Sequence, residues 1–440
     1  MIERYSTKAM SRIWAEKEKF NLWLKLELAV LEARAKLGQL DQGIVDRIRR
    51  QAKFSLKRIA EIEAVNHHDL LAFVQAVREN LDPDLRGRFH EGLTSYDTEE
   101  IPFSLRLIRG LAVVEKELNG LWRVLTARSW EFKDTPKIGR THCQHAEPIT
   151  FGVELLNWSD LIGRDLIRLK QAKEVAGVGK ISGAVGVYGD LDPAIEDEVC
   201  RQLGLRPTLA TQILHRDRLA QVMTTLAIVG SDLEHIALNL RLMSQTEVGE
   251  IREPFGQGQK GSSRMPHKKN PIVLEKICGL SRLLRGYAVT ALETVATWSQ
   301  RDISQSSPER IIVPDGFHAV HHMIQGLSYI VANMEVFPDQ MLLNLQLTQG
   351  CIFSGAAKEV LLSWGVEPEL AYKVVQQCSF QALAEHRPLL ELLQTSPALQ
   401  PFLAEYGERN QLLADCFDVN HSLRHIQAVF DRFGPDANKG

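Results

Sequence analysis

The sequence predicts an all-α protein, and three observations carry the prediction. Four stretches, 103–135, 149–192, 208–253 and 272–307, contain no proline, the residue whose missing N–H and ring clash exclude it from helix interiors. Two of them carry apolar stripes stepping by three or four residues: Phe103, Leu107, Leu111, Val114, Leu118, Leu121 and Leu125, and then Leu219, Met223, Leu226, Val229, Leu233, Ile236, Leu240 and Met243. No segment alternates apolar and polar residues often enough to build a large sheet.

Taken in order, helical patterns at 11–38 and 41–60 come first, followed by a polar break at NHHDL, 66–70. The 103–125 stripe then predicts a long helix, and 149–192 has room for another. GKISGAVGVYG at 179–189 is the one glycine-dense apolar run and reads as an irregular loop or a short hairpin. The near-heptad seam at 219–243 packs helices almost parallel, so a bundle is the natural outcome. After residue 350 the helical patterns shorten as prolines become more frequent. Boundaries near 93 and 345 follow, giving an N-terminal helical domain (1–93), a central long-helix bundle (94–345) and a C-terminal helical domain (346–440). The end, RFGPDANKG, is expected to fray. A helix of about thirty residues is roughly 45 Å long, more than a compact domain needs for its own core. Burial against other copies of the chain is therefore expected, with burial inside one chain as the other solution.

Composition narrows the function classes. At 440 residues, 44% hydrophobic and 24% charged, the chain can bury a sizeable core and is neither disordered nor collagen-like. Lys+Arg 52 against Asp+Glu 55 leaves a net charge of −3, so no overall field draws it to nucleic acid or an anionic membrane. Any anion must be held by local basic residues. The six cysteines are dispersed, with no CxxC pair and no zinc-ligand spacing, which favours a reduced, cytoplasmic setting. The first twenty residues carry charge throughout, and no window reaches the roughly 18 apolar residues of a membrane span. Neither an export signal nor a membrane segment is expected.

The most unusual stretch is GQGQKGSSRMPHKKNP, 256–271. Gly256, Gly258 and Gly261 form a formal GxGxxG, but the preceding segment reads as a helix ending at Arg252-Glu253-Pro254 and no βαβ unit surrounds it, which argues against a dinucleotide site. Elsewhere, at Gly179-Lys180, a phosphate-binding Walker loop fails as well, because Ile181 follows the lysine and Glu174 stands where the first glycine should be. What remains of 256–271 is a flexible glycine loop with two serines and several basic residues before a helix starting near Ile272. Its N–H groups, the helix N-terminus and Lys268 can stabilise an anion; an ordinary solvated basic turn fits the spacing equally well. His318, His321 and His322 have HxxHH spacing, yet no carboxylate or Cys completes a ligand set, so a helical face is expected there and no metal.

GSSRMPHKKNP is similar to the GSSxMPxKxNP signature of the fumarase/aspartase superfamily. Within it the chain resembles the adenylosuccinate lyase family over nearly its whole length: IERYS and IW at 2–14, HHDLLAF at 67–73, HEGLTSYD at 90–97, GRTHCQHAEPITFG at 139–152, GKISGAVG at 179–186, TQ at 211–212 and RDISQSSPERIIVPD at 301–315. The resemblance implies a three-domain all-α fold around a long central bundle, assembled as a homotetramer whose active sites draw on three subunits. It implies cleavage of adenylosuccinate to AMP, and of succinylaminoimidazole carboxamide ribotide, with fumarate released and no cofactor or metal required.

Such an elimination needs a base for a weakly acidic Cβ proton, donors for the carboxylate that gathers charge, and an acid for the departing nitrogen. By the resemblance, Ser263 is the base and His142 the acid, while Lys268 and Asn270 hold the succinyl carboxylates. His68 and Asp69 match an active-site His-Asp pair; His90, Thr94 and Ser95 match a carboxylate-binding segment. Thr141, Ser262 and Met265 lie inside the matching motifs as substrate contacts. Arg4, Tyr5, Arg301, Ser306 and Arg310 match the nucleotide-phosphate positions, Gln212 a substrate contact, and Glu275 the acidic residue after the signature loop. Apart from the resemblance, each has a plainer reading: a hydrogen-bonding structural histidine for His142, an N-cap for Thr94 and Ser95, solvated helix ends for Arg301 and Arg310. Three positions depart from the family pattern: Arg264 where a small or apolar residue is usual, Cys143 for glycine, and Tyr96 for a small hydroxyl residue. They leave open a rival reading as a related lyase or a carboxymuconate-type cycloisomerase on the same scaffold, for which the phosphate set would be superfluous. A catalytically silent helical scaffold is the third reading, and it has no physical need for Ser263, His142, Lys268 and Asn270 together.

Overall fold

Helices make up most of the structure, a computed structural model that describes residues 1–404 and 407–434. Most of RFGPDANKG lies outside those residues. The chain divides into two compact units: residues 1–119, 164–234 and 276–325 in one, and 120–163, 235–275 and the residues from 326 onward in the other.

The long helices form where proline is absent and the stripes run. They are Ser95–Glu131, Phe151–Ala176, Asp217–Met243, Ile272–Glu293 and Ser306–Asn333. Leu107, Leu111, Val114, Leu118, Leu121 and Leu125 are all buried, as is every residue of the seam from Leu219 to Met243. The first of these helices starts earlier than its stripe and runs through Pro102. Its start is fixed by a cap: the Thr94 N–H donates to Asp97 Oδ2 at 2.9 Å, closing the first turn with a carboxylate at the positive end of the helix dipole.

In the first unit the 11–38 pattern resolves into Lys8–Trp14 and Glu16–Lys36, broken at the extended Ala15, and 41–60 into Gln42–Gln51 and Leu56–Asn66. The Glu16–Lys36 helix is buried on two sides. Phe20, Trp23 and Leu31 join an aromatic-rich core with Phe73 and Phe89, while Leu26, Ala29, Val30 and Ala33 join a second one with Ile101, Ile181, Ile195 and Val199. In the second unit, a core from Ala357 to Cys416 closes the short C-terminal helices on one another.

GKISGAVGVYG is irregular, one of its two expected forms, apart from Gly179, which ends a two-residue strand, Val178–Gly179, pairing in parallel with Arg206–Pro207. Gly186 sits at φ +86 with space for no side chain, since a Cβ would meet the Ala210 carbonyl at 2.1 Å. The segment from Pro136 to Thr150 is an antiparallel hairpin, Pro136–Thr141 with Gln144–Thr150, which the sequence pattern did not predict. A bulge near Gly139 and two prolines hide the alternation that would have announced it.

Candidate functional site

In the first unit the HHDL segment places His68 as N-cap of the Asp69–Arg78 helix, its Nδ1 accepting the Leu71 N–H at 3.4 Å. The Asp69 carboxylate turns to Lys19 at 3.2 Å and Arg310 at 3.3 Å. Burial by itself would raise the Asp69 carboxyl, but these two cations outweigh it and hold the group below the usual range. Asp69, Glu99, Ser306 and Arg310 line a cavity of about 270 Å³ walled by Trp14 and Trp23. Arg310 Nε also donates to Ser306 Oγ at 3.3 Å, so phosphate candidates and the Asp of the His-Asp pair meet at one place. Glu99 is pushed up to about 7, first by burial and then by the charge of Asp69. Arg216, only 4% exposed, lines the same cavity and bonds to Glu309 at 2.8 Å and Glu100 at 2.6 Å, both of which also line it.

The HEGLTSYD turn is tied to two other motifs by a buried ion pair. Asp97 Oδ1 lies 2.6 Å from Lys180 Nζ, with both side chains wholly buried, and accepts the N–H groups of Ser182 and Gly183 at 3.1 and 3.2 Å. Lys180 donates in turn to the carbonyls of Gly183 and Gln212. The position of Thr94 and Ser95 is thereby locked to GKISGAVG and TQ. Gln212 Oε1 accepts from Arg301 Nη1 at 2.9 Å, and the Arg301 guanidinium lies 3.9 Å over the ring of Tyr96. His90 Nδ1 is 2.7 Å from Glu27, a carboxylate 1% exposed that also accepts the Thr98 hydroxyl. That contact orients the imidazole. Tyr5, in a short turn with the exposed Arg4, packs edge-on against His322, their ring centroids 5.4 Å apart. His318 accepts the Thr7 N–H at 3.0 Å, a structural role.

In the second unit Thr141 pairs with Gln144, leaving His142 and Cys143 as a two-residue turn with φ of 52 and 61. Both residues are exposed at the tip. The strands beneath are pinned by Arg140, which donates twice to Glu250 at 2.7 and 3.1 Å, and by ion pairing of Lys137 with Glu154. Glu250 is fully buried and also accepts from Asn344 at 2.9 Å.

The signature loop in the same unit is shaped by its own side chains. Ser262 Oγ accepts the N–H groups of Arg264 and Met265 at 3.4 and 3.1 Å, and the Asn270 amide donates to the Gly261 carbonyl at 2.9 Å. Gly261 is required: a Cβ there would lie 2.0 Å from the Lys268 carbonyl oxygen. Ser263 stands exposed between these clamps. Met265, Lys268, Asn270 and Glu275 face one cleft of about 850 Å³ together with Arg241 and Arg252. The helix N-terminus offers less than the sequence suggested, because Glu253 accepts the Val273 and Leu274 N–H groups at 3.3 and 2.8 Å. Of the anion donors the sequence offered, the loop N–H groups and Lys268 remain available. Nor does a helix end at Glu253; Ile251–Arg252 is a short strand paired with Glu335–Val336.

Sequence reasoning passed over Lys19, Glu27, Glu99, Asp97 and Lys180. Only Asp97 carried a local signal, the Thr94-x-x-Asp97 capping spacing.

Comparison with known proteins concerns the chain as a whole. A family model described as "Lyase" matches residues 2–286, and one described as "Adenylosuccinate lyase C-terminus" matches 350–433. The chain is 41% identical over 435 residues to the adenylosuccinate lyase of Bacillus subtilis (strain 168), covering 99% of this chain and 100% of that one. It is 39% identical over 434 residues to that of Thermotoga maritima, covering 98% and 99%. Among solved structures, a 3-carboxy-cis,cis-muconate lactonizing enzyme from Pseudomonas putida superposes with a TM-score of 0.88 at 26% identity, covering 98% of this chain and 96% of that one. A fumarate lyase from Mesorhizobium sp. BNC1 shares the fold with a TM-score of 0.88 at 24% identity, covering 98% and 99%.

Proposed function

Because the chain belongs to the adenylosuccinate lyase family, we propose that Ser263 and His142 are the base and acid of its β-elimination, within a site built from the segments described above. The reaction is the fumarate-releasing cleavage of a C–N bond: adenylosuccinate gives AMP, and succinylaminoimidazole carboxamide ribotide its aminoimidazole counterpart. The Ser263 oxygen takes the Cβ proton, the adjacent carboxylate gathers the charge, the C–N bond breaks and His142 protonates the departing nitrogen. Lys268 and Asn270 hold the succinyl carboxylates, with Thr94, Ser95, Thr141, Ser262, Met265 and Gln212 as further contacts. His68, His90 and Glu275 attend the reacting groups, and Arg4, Tyr5, Arg301, Ser306 and Arg310 bind the phosphate. The observation that carries this reading is the signature loop itself: Ser262 and Asn270 clamp it while the neighbouring Ser263 stays exposed in the loop that carries Lys268. The rival cycloisomerase reading rests on weaker likeness, 26% against 41% identity.

The assembly we propose is a homotetramer in which each active site takes segments from three copies. Ile167, Ile228, Leu283 and Val289 support it as exposed apolar residues on the long helices. Cores within residues 20–89 and 357–416 support the outer members of the proposed division 1–93, 94–345 and 346–440, while Leu26, Ala29, Val30 and Ala33 pack across its first boundary. A cytoplasmic setting is consistent with six free cysteines, and among the described residues no helix is long and apolar enough to cross a membrane.

A direct ultraviolet assay with adenylosuccinate tests the activity. Folded protein that yields neither fumarate nor AMP would overturn the reading. Ser263→Ala and His142→Gln are each expected to lower kcat at least about a hundredfold with unchanged thermal melting; a near-parental rate in either reassigns that role.

A further inference from the structure

Tyr96 is the departure from the family pattern that the structure explains. Where a small hydroxyl residue is usual, this chain buries an aromatic ring, 5% exposed, at the second residue of the Ser95–Glu131 helix. The Arg301 guanidinium carbon lies over that ring, 3.9 Å from its centroid, and one of its nitrogens donates to Gln212. The Tyr96 hydroxyl accepts from Gln305 Nε2 at 3.3 Å, in the segment that leads from Arg301 to Ser306. Two polar atoms in this group, Arg301 Nε and Gln305 Oε1, are buried without a partner. A buried donor left unpaired is costly unless something else satisfies it, and an anionic oxygen suits a guanidinium.

We infer that Tyr96 is a positioning residue for substrate binding: its ring underlies and holds the Arg301 guanidinium, which is thereby preorganised for the nucleotide's anionic group. The inference rests on the reading above that Arg301 binds substrate. Preorganisation of this kind lowers the cost of ordering a long side chain when the ligand arrives. Burial pushes the Tyr96 hydroxyl up to about 12, so it stays neutral and the contact does not vary with pH near neutrality.

Steady-state kinetics with adenylosuccinate on the assembled enzyme provide the test, using Tyr96→Ser, Tyr96→Phe, Arg301→Gln and the Tyr96→Ser/Arg301→Gln double variant. Tyr96→Ser is expected to raise KM roughly tenfold, the scale of a partly desolvated cation–π contact, with kcat within about threefold. Tyr96→Phe keeps the ring and is expected to stay within about threefold of the parent KM. In the Arg301→Gln background the serine substitution is expected to add nothing. A parental KM in Tyr96→Ser, or a penalty that persists undiminished without Arg301, overturns the inference. A parental KM in Arg301→Gln instead overturns the assignment of Arg301 to substrate, which separates the two failures.

Discussion

Glu99 ionises near neutrality because it is buried first and then faces the charge of Asp69, with Lys19 and Arg310 only partly compensating. A carboxyl raised from its ordinary value to about 7 binds its proton more tightly in the folded chain than in the unfolded one. Its contribution is therefore complete below about pH 4.5, declines as pH climbs, and becomes a fixed cost above about 7. Glu99→Gln, which mimics the protonated form, is expected to stabilise the protein by on the order of 1–3 kcal/mol at pH 8 and by nothing at pH 4.5. Urea unfolding at the two pH values measures this, and equal shifts at both would sink it. At this scale the sequence was legible where partners are close along the chain, as for Asp97 capping Thr94. It was illegible where they are distant: Glu27 meets His90 across 63 positions, and nothing in a regular helical pattern marks that carboxylate as special. Asp69 shows the same effect, since the resemblance grouped it with His68 while folding supplies Lys19 and Arg310.

Among elements, the long helices were readable from their stripes because a 3.6-residue period must bury one face. The hairpin was not. Two-residue turns with both φ values positive favour Asn and Gly, and His142-Cys143 advertises neither. Holding an ordinary side chain in that region costs about 1–2 kcal/mol, partly offset by the greater freedom glycine regains on unfolding. Cys143→Gly is thus expected to stabilise the protein by about 0.5–1 kcal/mol, read as a rise in Tm, whereas Cys143→Ala should give no gain. An equal gain from alanine would show that backbone strain is not the cause. Pro102 misled in the opposite direction: left outside the helix predicted from residue 103, it lies inside one whose start is set by the Thr94–Asp97 cap.

For the whole molecule, the fold class followed from sequence more directly than the assembly, since burial within a chain and burial between copies leave the same apolar pattern. Shared active sites make a specific prediction. Ser263→Ala and His142→Gln subunits, each inactive alone, are expected to regain activity when mixed and allowed to exchange, because some sites then receive both native residues. Sedimentation should report four chains per particle, and no recovery from mixed tetramers would argue for sites contained in single chains. The Glu16–Lys36 helix, packed between two hydrophobic clusters and exposing little beyond Asn21 and Lys25 along its middle, carries a kinetic signature of its own. Its central amides reach water only when both clusters loosen together, so deuterium uptake there should trail that of the shorter helices bordering it and record the joint opening of the two clusters as one event.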